Sequence, residues 1–104
     1  MITVTDPAFQ EELVGKSYIL DFFGTWCGPC SAIVPILTDV EKATGIPVYK
    51  IDIDQMDLLA SKYNVRSIPC VIFFKDGEPI DQIVGAVSRQ KFFDAAAKLA
   101  PTLC

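Results

Sequence analysis

The spacing of apolar residues along the chain switches between the patterns typical of strands and of helices. Five short runs rich in β-branched and aromatic residues predict strands, at residues 2–4, 18–23, 48–53, 70–74 and 80–84. The run 18–23 is apolar on both faces except at Asp21, as is typical of a central strand covered on both sides. Asp76-Gly77 separates the last two runs and predicts an antiparallel hairpin.

Four segments with helical spacing lie between or after these strands. The longest carries apolar residues at intervals of three and four, namely Ile33, Ile36, Leu37, Val40 and Ala43. Gly45 predicts its C-terminal end. Pro35 predicts a kink, because proline removes a backbone hydrogen bond and clashes with the preceding turn.

Capping residues predict the limits of the other three helices. The first begins with Asp6 as N-cap and ends at Gly15, and Asp57 opens the third, which reaches residue 63. The fourth begins at Ser88 and carries four apolar residues before a proline stop: Phe92, Phe93, Ala96, Leu99 and Pro101.

Strands and helices alternate along the chain as far as the hairpin. Crossover helices favour parallel strands, whereas the hairpin adds an antiparallel pair. We therefore predict an α/β fold in which a central mixed five-stranded sheet is flanked by four helices. At 104 residues the chain has room for one domain, residues 1–104.

Composition narrows the possible functions. Hydrophobic residues make up 51% of the chain and charged residues 21%, which is typical of a globular core. The absence of histidine excludes catalytic triads, Cys-His proteases and His-ligated metals, and a net charge of -4 disfavours nucleic-acid binding. The sequence has neither an apolar run of about 20 residues for a membrane span nor a signal-peptide pattern, so we expect a cytoplasmic protein.

Two cysteines stand between the central strand and the longest helix, in Trp26-Cys27-Gly28-Pro29-Cys30. The unpaired amides and dipole of a helix N-terminus stabilise negative charge, so we expect Cys27 to be a thiolate nucleophile. Cys30 lies one turn further along the same face, near enough to close a disulfide ring, which suits a resolving role. Redox chemistry is favoured over half a zinc site, since Cys70 and Cys104 form no second pair.

These features resemble the thioredoxin family. The resemblance begins with Trp-Cys-Gly-Pro-Cys after a strand that carries Asp21, followed by a proline five residues beyond the second cysteine. Other matching positions are Lys50, Ile68-Pro69, Asp76-Gly77 and Gly85. They cover nearly the whole chain, and they imply a thioredoxin fold and the reduction of disulfides in client proteins.

The resemblance also implies roles for single residues. Asp21 would accept the Cys30 proton, because burial raises the pKa of a carboxyl, and Lys50 would be its charge partner, although an ordinary surface lysine stays open. Pro69 would be cis, and the backbone of Ile68 would bind an extended client segment. The remaining client-binding residues would be Trp26, Gly28, Pro29, Gly85 and Ala86. A packing role for the tryptophan stays open.

Partners follow from the same resemblance. Electrons would come from NADPH through a thioredoxin reductase, so that the chain itself needs no bound cofactor. The implied clients are ribonucleotide reductase, peroxiredoxin and methionine sulfoxide reductase. We expect a monomer.

Three other functions stay open on the sequence alone. An oxidant or isomerase of the same fold is disfavoured by Gly28-Pro29 and by the lack of histidine. A non-catalytic interaction module and a zinc-binding module are the other two.

The chain departs from the family pattern at three positions. Cys70 follows the predicted cis-proline, where threonine is common, and is either a small buried hydrophobe or a thiol that competes for the active pair. Cys104 is expected to be an exposed thiol through which the protein could dimerise. Ser31 stands where many relatives carry a basic residue.

Overall fold

A computed structural model describes residues 1–99, which form a five-stranded sheet with helices on both faces. The strands are β1 (Ile2–Thr3), β2 (Tyr18–Phe23), β3 (Val48–Asp52), β4 (Cys70–Lys75) and β5 (Glu78–Val84). The helices are α1 (Gly28–Ala32), α2 (Val34–Thr44), α3 (Asp57–Lys62) and α4 (Arg89–Ala97), with a 3-10 helix at Phe9–Leu13.

The sheet has the strand order β1-β3-β2-β4-β5, with β2 at its centre. β3 pairs in parallel with β1 and β2, whereas β4 is antiparallel to both β2 and β5. Asp21 on β2 lies opposite Lys50 on one side and Val71 on the other. The predicted mixed five-stranded α/β fold is confirmed.

The alternating side chains of β2 enter two separate cores. Ile19 belongs to the core beneath α2 and α4, which also contains Leu37, Val40, Phe92 and Ala96. Leu20 and Phe22 belong to the opposite core, which also contains Leu13, Met56 and Ala60. Because side chains two residues apart share a face, Asp21 lies on the α2 side of the sheet.

The hairpin has the backbone that its sequence predicts. Asp76 and Gly77 both have positive φ, at 53° and 85°, as a two-residue hairpin turn of the type favoured by Asp-Gly requires. The Gly77 N–H donates to the Lys16 carbonyl at 2.8 Å, and the Asp76 N–H donates to Ser17 Oγ at 3.3 Å. The turn is therefore tied to the segment that leads into β2.

The predicted kink near Pro35 is confirmed as a complete break. The chain leaves α1 at Ile33 and re-enters a helix at Val34, so that Pro35 falls in the first turn of α2, where a missing N–H costs no hydrogen bond. Ala43, expected on the buried face, is instead exposed.

Two of the three capping predictions were wrong, and the third is confirmed in position. The Asp6 carboxylate accepts from the Ala8 N–H at 2.9 Å and stabilises a turn, so the first helix begins later, after Ala8, and has 3-10 form. Met56 is the N-cap of α3, and Asp57 is its first helical residue. Ser88 is the N-cap of α4 as predicted, but its side chain makes no capping hydrogen bond. The predicted stop at Pro101 lies outside the described residues.

Candidate active site

The two cysteines of the Trp-Cys-Gly-Pro-Cys segment lie at the start of α1, beyond the end of β2. Cys27 is the N-cap, and a disulfide joins it to Cys30 with their Cα atoms 5.3 Å apart. The Cys30 N–H donates to Cys27 Sγ at 3.1 Å. Cys27 is 7% exposed and Cys30 is 3% exposed, so both residues are largely covered and Cys27 is the more accessible of the two. When the pair is reduced, the same N–H would stabilise a thiolate on Cys27.

Asp21 is fully buried within the sheet on the α1 and α2 side. Within residues 1–99 neither of its carboxyl oxygens has a hydrogen-bond partner. Desolvation by burial raises the pKa of Asp21 from 3.8 to about 7, and the nearby charge of Lys50 opposes that rise without overcoming it. The buried carboxyl that the sequence singled out is therefore able to exchange a proton near neutral pH.

Lys50 and Cys30 line the same small cavity, which has a volume of about 100 Å³. Its other lining residues are Phe23, Gly24, Thr25, Ser31 and Val34. The Lys50 ammonium lies 4.4 Å from the centroid of the Phe23 ring. The cavity is large enough to hold water beside the resolving cysteine.

Trp26 stands at the rim with 67% of its surface exposed, which argues against a packing role in the core. Its Nε1–H donates to Asp54 Oδ2 at 3.1 Å. A Cβ atom at Gly24 would lie 2.8 Å from Trp26 Cε2 and 3.0 Å from Ile68 Cδ1, so only glycine allows both side chains to close in here.

Sequence reasoning missed Asp54 and Gly24. A signal for Asp54 was available, because β2 and β3 are parallel neighbours whose carboxyl ends meet at one edge of the sheet. Asp54 follows β3 at that edge, and Trp26 follows β2.

The peptide bond between Ile68 and Pro69 is cis, as the resemblance implies. Ile68 is half-buried, Pro69 is buried, and the Pro69 carbonyl accepts from the Gly85 N–H at 2.8 Å. Gly85 has a φ of 92°, and the space where its Cβ would stand is open. Gly28, Pro29 and Ala86 are exposed. Gly28 and Pro29, which stand between the two cysteines, are therefore accessible from outside.

Cys70 is a third, separate sulfur. Its side chain is fully buried in the core with Leu20 and Phe22, on the opposite face of the sheet from Asp21. Its Sγ accepts from Gln82 Nε2 at 3.3 Å, and burial raises the pKa of the Cys70 thiol. This placement favours the small buried hydrophobe over the competing thiol. Cys104 lies outside the described residues.

Two searches of residues 1–99 bear on other functions. They hold no group of three or more cysteine, aspartate and glutamate side chains placed to bind a metal ion. None of the helices in the described part of the chain is long and apolar enough to cross a membrane.

Comparison with known proteins gives one consistent result. The sequence model of the family described as Thioredoxin matches residues 1–98. The thioredoxin of Mycobacterium tuberculosis is 38% identical over 106 aligned positions, covering 98% of this chain and 91% of that protein.

Solved structures agree with the sequence comparison. The reduced thioredoxin pre-protein of Schistosoma mansoni is 32% identical, with a TM-score of 0.84 and coverage of 94% of this chain and 96% of that one. A mutant thioredoxin of Halobacterium salinarum is 27% identical, with a TM-score of 0.88 and coverage of 99% and 93%.

Proposed function

This chain belongs to the thioredoxin family and is a thiol–disulfide oxidoreductase with protein-disulfide reductase activity, and from that premise we propose how its residues divide the reaction. The observation that carries the proposal is the contact at the start of α1. Cys27 Sγ accepts from the Cys30 N–H at 3.1 Å, and Cys27 is the more exposed residue of the pair. The pair lies on the same side of the sheet as the buried Asp21 carboxyl.

In the first step, Cys27 acts as the nucleophile. Its thiolate attacks one sulfur of a client disulfide, a bond forms between Cys27 Sγ and that sulfur, and the other client sulfur leaves as a thiolate. The Cys30 N–H supports Cys27 in this role, since hydrogen bonds to the charged form favour the thiolate.

In the second step, Cys30 resolves the mixed disulfide. Asp21 takes the Cys30 proton, the Cys30 thiolate attacks Cys27 Sγ, and the client leaves with both its sulfurs reduced. The two electrons lost by the dithiol are those gained by the client. A base is most effective when its pKa lies near the working pH, and the pKa of Asp21 of about 7 supports this assignment. Lys50 is the charge partner that tunes it.

Client binding is assigned to the open rim around the pair. The residues to which we assign this role are Trp26, Gly28, Pro29, Ile68, Pro69, Gly85 and Ala86. The backbone of Ile68 pairs with an extended client segment, as a strand adds to a sheet. The open space above Gly85 supports this role, since it admits another backbone.

The family implies a thioredoxin reductase and disulfide-containing client proteins as partners. Thioredoxins need no bound cofactor, and we assign NADPH as the electron source of the reductase. The specific clients proposed are ribonucleotide reductase, peroxiredoxin and methionine sulfoxide reductase. The cytoplasmic location, the monomeric state and the single domain over residues 1–104 stay predictions.

Trapping the mixed disulfide tests the division of roles. Cys30→Ser removes the resolving sulfur, so we expect a disulfide-bonded protein to accumulate in a covalent complex with this variant, at a mass equal to the sum of the two and cleaved by dithiothreitol. Intact-mass spectrometry measures the complex.

Two matched variants accompany the trap. The trap and both matched variants carry Cys104→Ser, so that Cys104 cannot form the complex. In that background Cys27→Ser should give no covalent complex, and Cys70→Ser should reduce client disulfides at the parent rate, because Cys70 lies on the opposite face. A complex formed by Cys27→Ser instead would mean that Cys30 is the nucleophile and Cys27 the resolving cysteine. Slower reduction by Cys70→Ser would mean that Cys70 takes part in the reaction.

A further inference from the structure

The ammonium group of Lys50 does not lie where its charge alone would place it. Lys50 and Asp21 are directly paired in the parallel register of β3 and β2, so their side chains leave the same face of adjacent strands about 4.8 Å apart. Nevertheless, the ion pairs within residues 1–99 do not include these two. Lys50 Nζ instead lies over the Phe23 ring, 4.4 Å from its centroid.

Other titratable groups surround this arrangement. Asp52 lies two residues beyond Lys50 on the same face of β3, and its Oδ1 accepts from the Asp54 N–H. Cys27 and Cys30 approach from α1, and Cys70 lies across the sheet on β4. The α2 helix contributes only the apolar Val34 to the cavity beside Lys50. Lys50 is therefore the one cation of this neighbourhood among the residues named, and its position decides which carboxyl it stabilises.

Phe23 is suited to hold that cation. A ring face attracts an ammonium group within about 6 Å of its centroid, and more strongly where water is scarce. Phe23 ends β2 two residues beyond Asp21, so its ring stands on the same face and lines the cavity that Lys50 and Cys30 share. The ring thus competes with the carboxyl for the same ammonium.

We propose that Phe23 is a positioning residue for the resolving step, because its ring holds the Lys50 ammonium away from Asp21 and so keeps that carboxyl a competent base. The inference rests on the proton-acceptor role proposed above for Asp21. An opposite charge brought closer to a carboxyl favours its ionised form and lowers its pKa. A carboxylate with a lower pKa takes the Cys30 proton less readily.

Titration of the Asp21 carboxyl carbon by ¹³C NMR tests the proposal. The oxidised protein is the form to use, because the Cys27–Cys30 disulfide does not titrate and leaves the Asp21 transition isolated. Phe23→Leu removes the ring and keeps an apolar side chain. We expect it to lower the pKa of Asp21 from about 7 by about one pH unit, and to move the pH profile of client reduction in the same direction.

Two matched variants distinguish the effect of the aromatic ring on Lys50 from the effect of filling the space beside Asp21. Phe23→Tyr keeps the aromatic face and should leave the Asp21 titration within about 0.3 pH unit of the parent. Phe23→Leu introduced into Lys50→Met should have no further effect, since the cation is gone. A similar fall with and without Lys50 would mean that water entering beside the smaller side chain hydrates the carboxyl, and would overturn the proposal. An unchanged titration in Phe23→Leu would overturn it as well.

The parent protein offers a measurement that needs no substitution. Protons on the Lys50 Cε should resonate upfield of ordinary lysines if they lie over the Phe23 ring, and ordinary values would refute the contact. The titration is also independent of turnover. If Asp21→Asn reduced clients at the parent rate at pH 7, the proton-acceptor role would fail, while the effect of Phe23 on the Asp21 titration could still be measured.

Discussion

A carboxyl group in the middle of the central strand makes the stability of the protein depend on pH. In the unfolded chain the pKa of Asp21 is its ordinary value of 3.8, whereas in the folded protein burial raises this pKa to about 7. Below about pH 4 both states keep the proton, so Asp21 costs the fold nothing. Between these values the unfolded chain releases its proton first, and the folded state loses stability until the pH passes the folded pKa.

Asp21→Asn removes this dependence, because an amide has a similar shape and never ionises. We expect its free energy of unfolding to match that of the parent near pH 4 and to exceed it by roughly 4 kcal/mol at pH 8. Urea denaturation of the oxidised proteins at several pH values measures the difference. The exposed Asp94 on α4 supplies the control for the substitution itself, since Asp94→Asn makes the same change on the surface of the protein. A difference between Asp21→Asn and the parent that stays constant with pH would contradict the raised pKa.

Single residues also mark where the sequence could and could not predict the site. The burial of Asp21 was predictable, because the residues on both faces of its strand are apolar and indicate that the strand is covered on both sides. The contact of Phe23 with Lys50 was not predictable, because it depends on the register of β2 against β3 and on side-chain directions that no local pattern determines. Gly24 was missed for the same reason, whereas Asp54 could have been found from the parallel pairing of β2 and β3, which brings their carboxyl ends together.

Among the elements, the β4–β5 hairpin makes a close contact at its tip. A Cβ atom on Gly77 would lie 2.9 Å from the Gly15 backbone nitrogen, nearer than such atoms approach in proteins. Gly45, after α2, has a similarly positive φ of 72° with nothing near its missing Cβ. The two glycines share the backbone requirement and differ in their surroundings.

Alanine substitution at these two glycines separates backbone strain from steric contact. Each variant should lose about 1 kcal/mol for a side chain in the left-handed region. Gly77→Ala should lose about 2 kcal/mol more, because the hairpin must move away from Gly15. Urea denaturation at pH 7 measures both losses. Equal losses would show that the tip can shift freely.

The elements were predictable where a local cause determines them. Asp76-Gly77 specifies its turn, and Pro35 ends one helix and begins the next, whatever surrounds them. The start of the first helix was harder to predict. The Asp6 carboxylate accepts from the Ala8 N–H in a turn, and this hydrogen bond takes the place of a capping interaction. Ala43 fits the helical spacing of apolar residues but is exposed, because the number of buried positions on α2 depends on what packs against that helix.

For the molecule as a whole, the Cys27–Cys30 bond links catalysis to stability. The bond closes a loop with a sequence separation of only three, so it restricts the unfolded chain modestly. Loop-closure entropy predicts about 2 kcal/mol of stabilisation for so short a loop.

We therefore expect the oxidised protein to unfold with a free energy about 2 kcal/mol higher than the reduced protein. Urea denaturation with and without a reductant measures the difference. A variant with Cys27, Cys30 and Cys104 all replaced by serine should be insensitive to the reductant, because the remaining Cys70 forms no disulfide among the described residues. Equal free energies of unfolding would mean that other interactions stabilise the reduced active site by as much as the disulfide stabilises the oxidised one.

The chain contains a single tryptophan, and it is the exposed one beside the disulfide. All indole fluorescence of the protein therefore arises at the rim of the active pair, next to the bond that is made and broken. A client bound at the proposed site would take the indole out of water and shift its emission to shorter wavelengths. Trp26 would then be an intrinsic optical reporter, able to follow client binding in real time without an added label.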